Sequence, residues 1–256
     1  RKELHGICAE IFVQKKQIKN DFYTIAYHYN HSGQKKKLVY YNLLAYQQAH
    51  QQHSLNEAAF YLKNVVDFYL KNNVSSQPMR DSGLQLTLIL QSLGRIEESF
   101  TYLKPLQEMS VKENLNSFLI KILLQFGTGY YYLNDTFTAL SYYDQAIKLA
   151  EKQVYEITDS HPFALIGSLY YFQYNLPKTE HYLSLAARYL NPQDFSIAIR
   201  TYGVRAWGRV MAGEINPCFE DVQRIEALLN QVDNPSLVSQ IYHYGSICYS
   251  WGDKDF

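Results

Sequence analysis

Residues 123–146, LLQFGTGYYYLNDTFTALSYYDQA, contain the pattern that decides the fold class of this chain. Apolar and small side chains return there every three or four positions, which is the spacing of one face of an α-helix. A break at Asn134 divides the stretch into two such segments. Gly127 in the first segment, and Ala139 beside the bulky Tyr143 in the second, are small residues that let two helices approach closely. The stretch therefore predicts a helical hairpin.

The second half of this pattern returns along the chain at a nearly constant interval. The same small-residue position holds Ala58, Ser99, Ala139, Thr179 and Cys218, which gives steps of 41, 40, 40 and 39 residues. A regular step of this kind is typical of stacked helical hairpins, each of which needs its neighbours to bury its apolar face. We therefore expect an all-α fold, an α-solenoid of about five hairpins with a period near 40 residues.

The pattern resembles the tetratricopeptide repeat (TPR), whose consensus reads W-x2-L-G-x2-Y and then A-x3-F. Leu123 stands in the place of the Trp, and Tyr143 in the place of the Phe. The period exceeds the usual repeat length by about six residues, so we expect longer helices or loops at the hairpin junctions. The resemblance implies a TPR-like superhelix over residues 34–256 that is truncated within its last repeat.

The N-terminal residues fit the repeat less well. They carry two separate helical stripes, one of Leu4, Ile7, Cys8, Ile11 and Phe12, the other of Phe22, Ile25, Ala26 and Tyr29. We therefore expect residues 1–33 to form a helical cap on the array, or a junction to an upstream domain.

The N-terminal hundred residues are similar to a known stretch of large signalling proteins. The similarity is carried by Ala26-Tyr27-His28-Tyr29 and the repeat after it, with Leu4-His5, Ile7, Ala9-Glu10, Leu44, Ala45, Ala49, Glu57-Ala58-Ala59 and Tyr61-Leu62. It resembles the region after the ATPase core of signal-transducing ATPases, including those of the soluble adenylyl or guanylyl cyclase type and those fused to kinases or transcription regulators. The resemblance implies that this chain is the C-terminal regulatory part of such a protein, with the ATPase, cyclase or kinase activity upstream.

The composition argues against several classes of partner and location. Lys plus Arg and Asp plus Glu are 24 each, so no overall charge favours nucleic acid or an anionic membrane. The chain has no apolar run of membrane-spanning length and no signal-peptide pattern at its start. Cys8, Cys218 and Cys248 are odd in number, far apart and set in helical patterns, so we expect reduced thiols in the core of a cytoplasmic protein.

Sequence motifs of catalysis are missing, so we expect a non-catalytic chain that needs no cofactor. Neither the phosphate-binding G-x-x-x-x-G-K-[S/T] nor the nucleophile motif G-x-S-x-G occurs. The pairs His28/His31 and His50/His53 have the only metal-like spacing, but no third and fourth ligand is evident. Two alternatives to the signalling part stay open: a free-standing TPR adaptor and, less favoured, a metal-dependent enzyme that uses these histidines.

The middle of the predicted binding wall is aromatic. The first helices of stacked hairpins line the concave face of a solenoid. On those helices we predict a partner-binding strip of Tyr131, Tyr132, Tyr171, Phe172 and Trp207, because aromatic side chains with polar edges are frequent hot spots. The partner is a protein or peptide, or the parent chain's own catalytic domain. For each ring, packing between adjacent hairpins is the open alternative.

The chain departs from TPR domains that grip a chaperone's C-terminal carboxylate. Those domains use Lys, Arg and Asn on the first helices, and the corresponding positions here are Leu43, Leu84, Leu124 and Ala164. We therefore expect an apolar or aromatic partner surface instead of such a carboxylate.

Overall fold

A computed structural model describes residues 1–14, 22–153 and 155–252 of the chain. These residues form thirteen α-helices, contain no strand, and include no helix long and apolar enough to cross a membrane. The helices are α1 Lys2–Gln14, α2 Phe22–Ser32, α3 Lys35–Gln51, α4 Leu55–Lys71, α5 Gln77–Ser92, α6 Ile96–Lys112, α7 Asn116–Tyr132, α8 Thr136–Gln153, α9 Ser160–Phe172, α10 Leu176–Arg188, α11 Phe195–Met211, α12 Ile215–Glu226 and α13 Pro235–Gly252.

Consecutive helices pack as hairpins. Helix α3 packs on α4, α5 on α6, α9 on α10, and α11 on α12. The first helices of successive hairpins are also neighbours, since α5 contacts α7 and α11 contacts both α9 and α13. This is the packing of an α-solenoid, so the predicted all-α fold of helical hairpins is confirmed. Helices α3 to α8 have 16 to 18 residues each, so long helices account for the period in that part of the chain. Helices α9, α10 and α12 have only 12 or 13 residues, and longer connections, residues 189–194 and 227–234, precede the next hairpins there.

The chain divides into two compact units, Arg1–Leu133 and Asn134–Phe256. The boundary falls in the turn that follows α7. The first unit has a core of α3 to α6 side chains, among them Leu62, Leu86 and Leu90. The division into residues 1–33 and 34–256 is a different partition of the chain and stays a prediction.

The turn inside each hairpin repeats one backbone conformation. A residue with positive φ lies there at His53, Gly94, Asn134, Tyr174 and Gly213, in steps of 41, 40, 40 and 39 residues. In four of these turns the next backbone N–H donates to a carbonyl five positions earlier, as Arg95 does to Leu90 at 2.8 Å and Glu214 to Arg209 at 2.8 Å. Such a left-handed residue satisfies the carbonyls at a helix end and turns the chain back.

The first helix pair packs differently from the expected stripe. Ala9 of α1 is buried against Ile25 and Tyr29 of α2, and the Tyr29 ring stacks on Tyr41 of α3 with 4.8 Å between centroids. Leu4, Ile7 and Ile11, which the stripe placed at the packing face, are exposed instead. The reason is that α1 approaches its neighbours with its small residues. Cys8 is only half-buried, so its expected place in the core is wrong, whereas Cys218 and Cys248 are fully buried.

Candidate partner-binding surface

An aromatic cluster joins three first helices of the second unit, α9, α11 and α13. Trp207 of α11 lies at its centre, with ring centroids 5.9 Å from Tyr171 of α9 and 4.7 Å from Tyr244 of α13. His243 meets the Trp207 ring edge-on at 5.3 Å. Rings at these distances and angles have the tilted and edge-to-face geometries that aromatic pairs prefer. The cluster therefore holds the three helices in one wall.

Trp207 is half-buried and has two roles at once. One side of its ring packs against the buried cluster of Cys218, Val222 and Cys248. Its indole Nε1 is buried and finds no hydrogen-bond partner among the described residues. Packing between hairpins thus accounts for a large part of this ring, as the open alternative anticipated, and only its remaining surface is available to a partner.

Phe172 is the exposed member of the predicted strip in this unit. Its side chain is 68% exposed, and its ring meets Tyr171 edge-on at 5.6 Å. Tyr171 is half-buried, and burial raises the pKa of its phenol, with smaller contributions from Tyr174 and Cys248. The structure thus brings Tyr171, Phe172 and Trp207 together, with Phe172 as the ring that reaches solvent.

Tyr174 extends this surface, and the sequence prediction missed it. It follows α9 in the hairpin turn, is 77% exposed, and has a φ of 57°. Left-handed backbone is costly for a bulky side chain, and the matching turns hold His53, Gly94, Asn134 and Gly213. The sequence signal for Tyr174 is therefore weak: a Tyr at a turn position where three of the other four residues are Gly or Asn.

Tyr131 and Tyr132 belong to the first unit, at the end of α7. Their rings meet edge-on at 5.7 Å, Tyr131 is half-buried, and Tyr132 is 48% exposed. The five predicted residues therefore fall into a pair in the first unit and a trio in the second.

A buried ionic network joins α11 to its neighbours α10 and α12. Asp221 of α12 is fully buried and accepts hydrogen bonds from Arg205 Nε and Nη2, each at 2.7 Å. Arg209, one turn further along α11, donates to Asp221 at 2.9 Å and to Glu180 of α10 at 2.7 Å. Burial alone would raise the pKa of Glu180, but the hydrogen bonds and charge of Arg209 hold it below its usual range. The network fixes α11 against both α10 and α12.

One histidine of each pair lies in the last turn of a helix, His31 in α2 and His50 in α3. His5 of α1 approaches the first pair, with its Nδ1 3.0 Å from Nδ1 of His28 and its ring 5.2 Å from that of His31. His50 and His53 are exposed at the end of α3. Among the described residues, no three His, Cys, Asp or Glu side chains are placed to hold a metal ion.

The four positions that correspond to the chaperone clamp hold apolar side chains, as the sequence indicated. Leu43, Leu84 and Leu124 are half-buried and Ala164 is fully buried, so these four positions supply no charged or amide group for a carboxylate.

Comparison with known proteins supports the fold and carries no function. No protein-family model matches the sequence, and no curated protein matches it. Among solved structures, the chain is similar to BtubC (BKLC) from P. vanneervenii, with 14% identity and a TM-score of 0.58 over 91% of this chain and 94% of that one. The chain also aligns with the TPR2AB domain of yeast Sti1, solved in complex with pHSP90, at 14% identity over 96% and 98% of the two chains. The TM-score of this second alignment is 0.40, which is too low to show a shared fold.

Proposed function

We propose that this chain is a non-catalytic protein-interaction and regulatory module. The wall of α9, α11 and α13 takes an apolar or aromatic segment of a protein or peptide partner. The observation that carries this proposal is the exposed pair Phe172 and Tyr174 beside the half-buried Tyr171 and Trp207. Rigid aromatic anchors supported from below have the chemistry of binding hot spots.

The strained turn at Tyr174 supports the same surface. A left-handed Tyr costs stability, and such strain is concentrated at functional sites in folded proteins. Gly or Asn would relieve the strain and would remove the exposed ring. A Tyr at this place is understandable if the ring contacts a partner.

Peptide selection tests the proposal without a known partner. Random twelve-residue peptides displayed on phage are selected on the full chain, and the affinity of an enriched peptide is measured for Phe172→Ala and for a matched control. The control is Phe137→Ala, because Phe137 is 86% exposed on α8, a second helix. We expect enrichment of aromatic peptides and a loss of about ten-fold or more in affinity for Phe172→Ala, with no change for Phe137→Ala. Equal affinities would reject the wall.

The first unit is tested in parallel. Tyr132→Ala in α7 is compared with Phe60→Ala in α4, since both side chains are exposed in the same unit. If Tyr132 belongs to a binding surface of the first unit, Tyr132→Ala weakens a peptide selected on the Phe172→Ala variant, and Phe60→Ala does not. An unchanged affinity would confine the binding wall to the second unit.

The wider proposal is that the module is the C-terminal regulatory part of a cytoplasmic signalling ATPase or nucleotide cyclase. Two observations support it: the resemblance around Ala26-Tyr27-His28-Tyr29, and the exposed apolar face of Leu4, Ile7 and Ile11 on α1, which an upstream domain would cover. A ligand that prefers one conformation of the array would shift the equilibrium of that domain by its differential affinity.

The gene upstream of Arg1 distinguishes this proposal from a free-standing adaptor. A coding sequence for a G-x-x-x-x-G-K-[S/T] loop in the same reading frame would support the signalling parent. A start codon close to Arg1 would reject the parent and leave the adaptor, with the binding wall unaffected.

A further inference from the structure

A cavity of about 540 Å³ lies in the second unit. The aromatic trio Tyr171, Phe172 and Trp207 is not part of its lining. It is bounded by the end of α8, residues 155–157, the start of α9, and the second helix α10. Its size falls within the range of small-molecule sites in proteins, about 300–1,000 Å³. Nothing in the proposed protein-interaction function uses it.

Three aromatic rings form one side of this cavity. The ring of Phe163 lies 6.4 Å from that of Tyr182 and 6.1 Å from that of Tyr189, with interplanar angles of 22° and 27°. Tyr182 is held in turn by Tyr170, whose nearly parallel ring lies 5.6 Å away. These contacts fix the orientation of the rings, so the cavity has a preformed aromatic wall. Leu185 adds aliphatic surface.

Two carboxylates lie at the cavity mouth, and the guanidinium of Arg188 lies over the ring of Tyr189. Glu151 and Glu156 line the cavity and are both exposed, and its described lining includes no Lys or Arg. The Tyr189 hydroxyl donates to Oε1 of Glu156 at 2.5 Å, which holds one carboxylate beside one ring. That hydrogen bond raises the pKa of the Tyr189 phenol, and burial raises the pKa of Tyr182, so both rings carry neutral hydroxyls near neutral pH.

We propose that this cavity binds an alkylated ammonium group. The faces of aromatic rings attract cations, and the attraction is strongest when the cation sheds its water easily. Methyl groups on nitrogen spread the charge and fill apolar space, whereas a primary ammonium is strongly hydrated. An anion would meet two carboxylates, and the lining includes one histidine, His181, which leaves a metal ion too few nitrogen ligands. The charge of Glu151 and Glu156 thus selects a cation, and the rings select an alkylated one.

A tyrosine of this cavity already contacts a cation. The guanidinium carbon of Arg188 lies 5.5 Å from the centroid of the Tyr189 ring. In the same way, Nζ of Lys178 lies 4.6 Å from the ring of Tyr170, the residue that stacks on Tyr182. Each of these two rings therefore has one face covered by a cation of the chain itself, which leaves Phe163 and Tyr182 as the rings that a ligand contacts.

Calorimetry with choline tests the proposal on the full chain at pH 8. The control ligand is 3,3-dimethyl-1-butanol, which has the same shape and no charge. We expect choline to bind at least about ten-fold more tightly than this neutral isostere, because only the cation gains from the rings and carboxylates. Equal affinities, or no binding of either compound, would overturn the proposal.

Two variants assign the binding to the cavity. Glu156→Gln keeps the shape of the side chain and removes its charge, and Tyr182→Leu removes a ring. We expect each to weaken choline by about five-fold or more. Glu220→Gln, an exposed position on α12 outside the cavity, is the matched control and should leave the affinity unchanged. Because Glu156 is exposed, its variant should fold even if Tyr182→Leu does not. Wild-type affinity in the Glu156→Gln variant would overturn the assignment.

The source of the ammonium group is decided by a second pair of probes. A peptide with one trimethyllysine is compared with the same peptide carrying unmodified Lys. Tighter binding of the trimethyllysine peptide than of choline supports a methylated protein ligand, and the reverse order supports a free small cation. Preference for unmodified Lys would contradict the proposal. Phe172→Ala should change none of these affinities, so the cavity and the peptide wall can fail independently.

Discussion

Five residues of this chain have the same left-handed conformation at equivalent hairpin turns, with unequal cost. Gly94 and Gly213 adopt it freely, and Asn134 tolerates it. His53 and Tyr174 pay a steric cost because their β-carbons approach the following carbonyl oxygen. Positive φ at a large aromatic residue is the uncommon case, so Tyr174 is the position where stability and function are expected to oppose each other.

Tyr174→Gly should make the protein more stable and a weaker binder. We expect the free energy of unfolding to rise by about 0.5–1 kcal/mol, since relief of strain exceeds the added entropy of the unfolded chain. Urea denaturation measures the gain, and the selected aromatic peptide measures the loss of affinity. Asn134→Gly is the control and should gain less, because Asn is the less strained residue. A less stable Tyr174→Gly variant would show that the turn is not strained.

Gly167 and Gly245 share one position in the repeat but differ in their surroundings. A β-carbon on Gly167 would lie 2.5 Å from Cγ of Leu183 and 3.3 Å from its backbone nitrogen, whereas one on Gly245 would meet nothing closer than 3.6 Å. Gly167→Ala should therefore destabilise the protein by about 1–3 kcal/mol. Gly245→Ala should be neutral or stabilising by up to about 1 kcal/mol, since Ala favours the helix. Thermal or urea unfolding compares them, and similar effects would refute the steric argument.

At the scale of helices, the forty-residue repeat correctly predicted the features of the fold that depend on the local spacing of residues. The break predicted at Asn134, a residue type that favours turns, coincides with the turn between α7 and α8. The turns at His53 and Tyr174 carry no such residue, so composition could not reveal them. The apolar stripe on α1 gave a wrong prediction of burial for another reason. Helical spacing shows that residues share one face of a helix, but it does not show that another element covers that face.

The ionic network of α10, α11 and α12 also lay beyond sequence reasoning. Arg205 and Arg209 are one turn apart on α11, which is visible in the sequence. Their acceptors, Asp221 and Glu180, are 16 and 29 positions away along the chain, and only the packed hairpins bring them together. The exposure of Phe172 and the partial burial of Trp207 are likewise set by the neighbouring helices.

Removal of the charge on Asp221 should be strongly destabilising. Asp221 is fully buried and accepts hydrogen bonds from Arg205, Arg209 and Arg224, so Asp221→Asn leaves the buried guanidinium of Arg205 without its counter-charge. We expect a loss of about 3 kcal/mol or more in the free energy of unfolding. Asp144→Asn is the control, because the pair of Asp144 with Lys148 is exposed and should contribute less than about 1 kcal/mol. Equal urea midpoints for the two variants would contradict the importance of burial.

At the scale of the whole molecule, the two candidate sites of the second unit use different helices. The peptide wall belongs to the first helices α9, α11 and α13, and the cation cavity to α8, α10 and the start of α9. A hairpin array exposes both kinds of helix, so one unit can carry two unrelated ligands. The repeat predicts the existence of such surfaces, and the individual rings and carboxylates decide what binds.

The balance of charge makes pH the simplest probe of the whole chain. The isoelectric point is about 7.2, so solubility should be lowest near neutral pH and should rise on either side. Stability is not symmetric. Burial lowers the pKa of His161, which must gain a proton when the protein unfolds below its unfolded pKa, near 6.5. The lowered pKa of Glu180 contributes stability that is present above its unfolded pKa, near 4.5, and is lost as the pH falls through its folded pKa.

Both groups therefore favour the folded state at alkaline pH and lose that contribution in acid. We expect the urea midpoint to be equal at pH 8.5 and pH 7.2, lower at pH 5.5, and lower again at pH 4, while solubility at pH 8.5 exceeds that at pH 7.2. In His161→Gln the step between pH 7.2 and pH 5.5 should shrink, because Gln does not titrate, and the step below pH 5.5 should remain. A midpoint that rises on acidification would contradict the signs of both pKa shifts, and an unchanged step in His161→Gln would assign the first loss to another group.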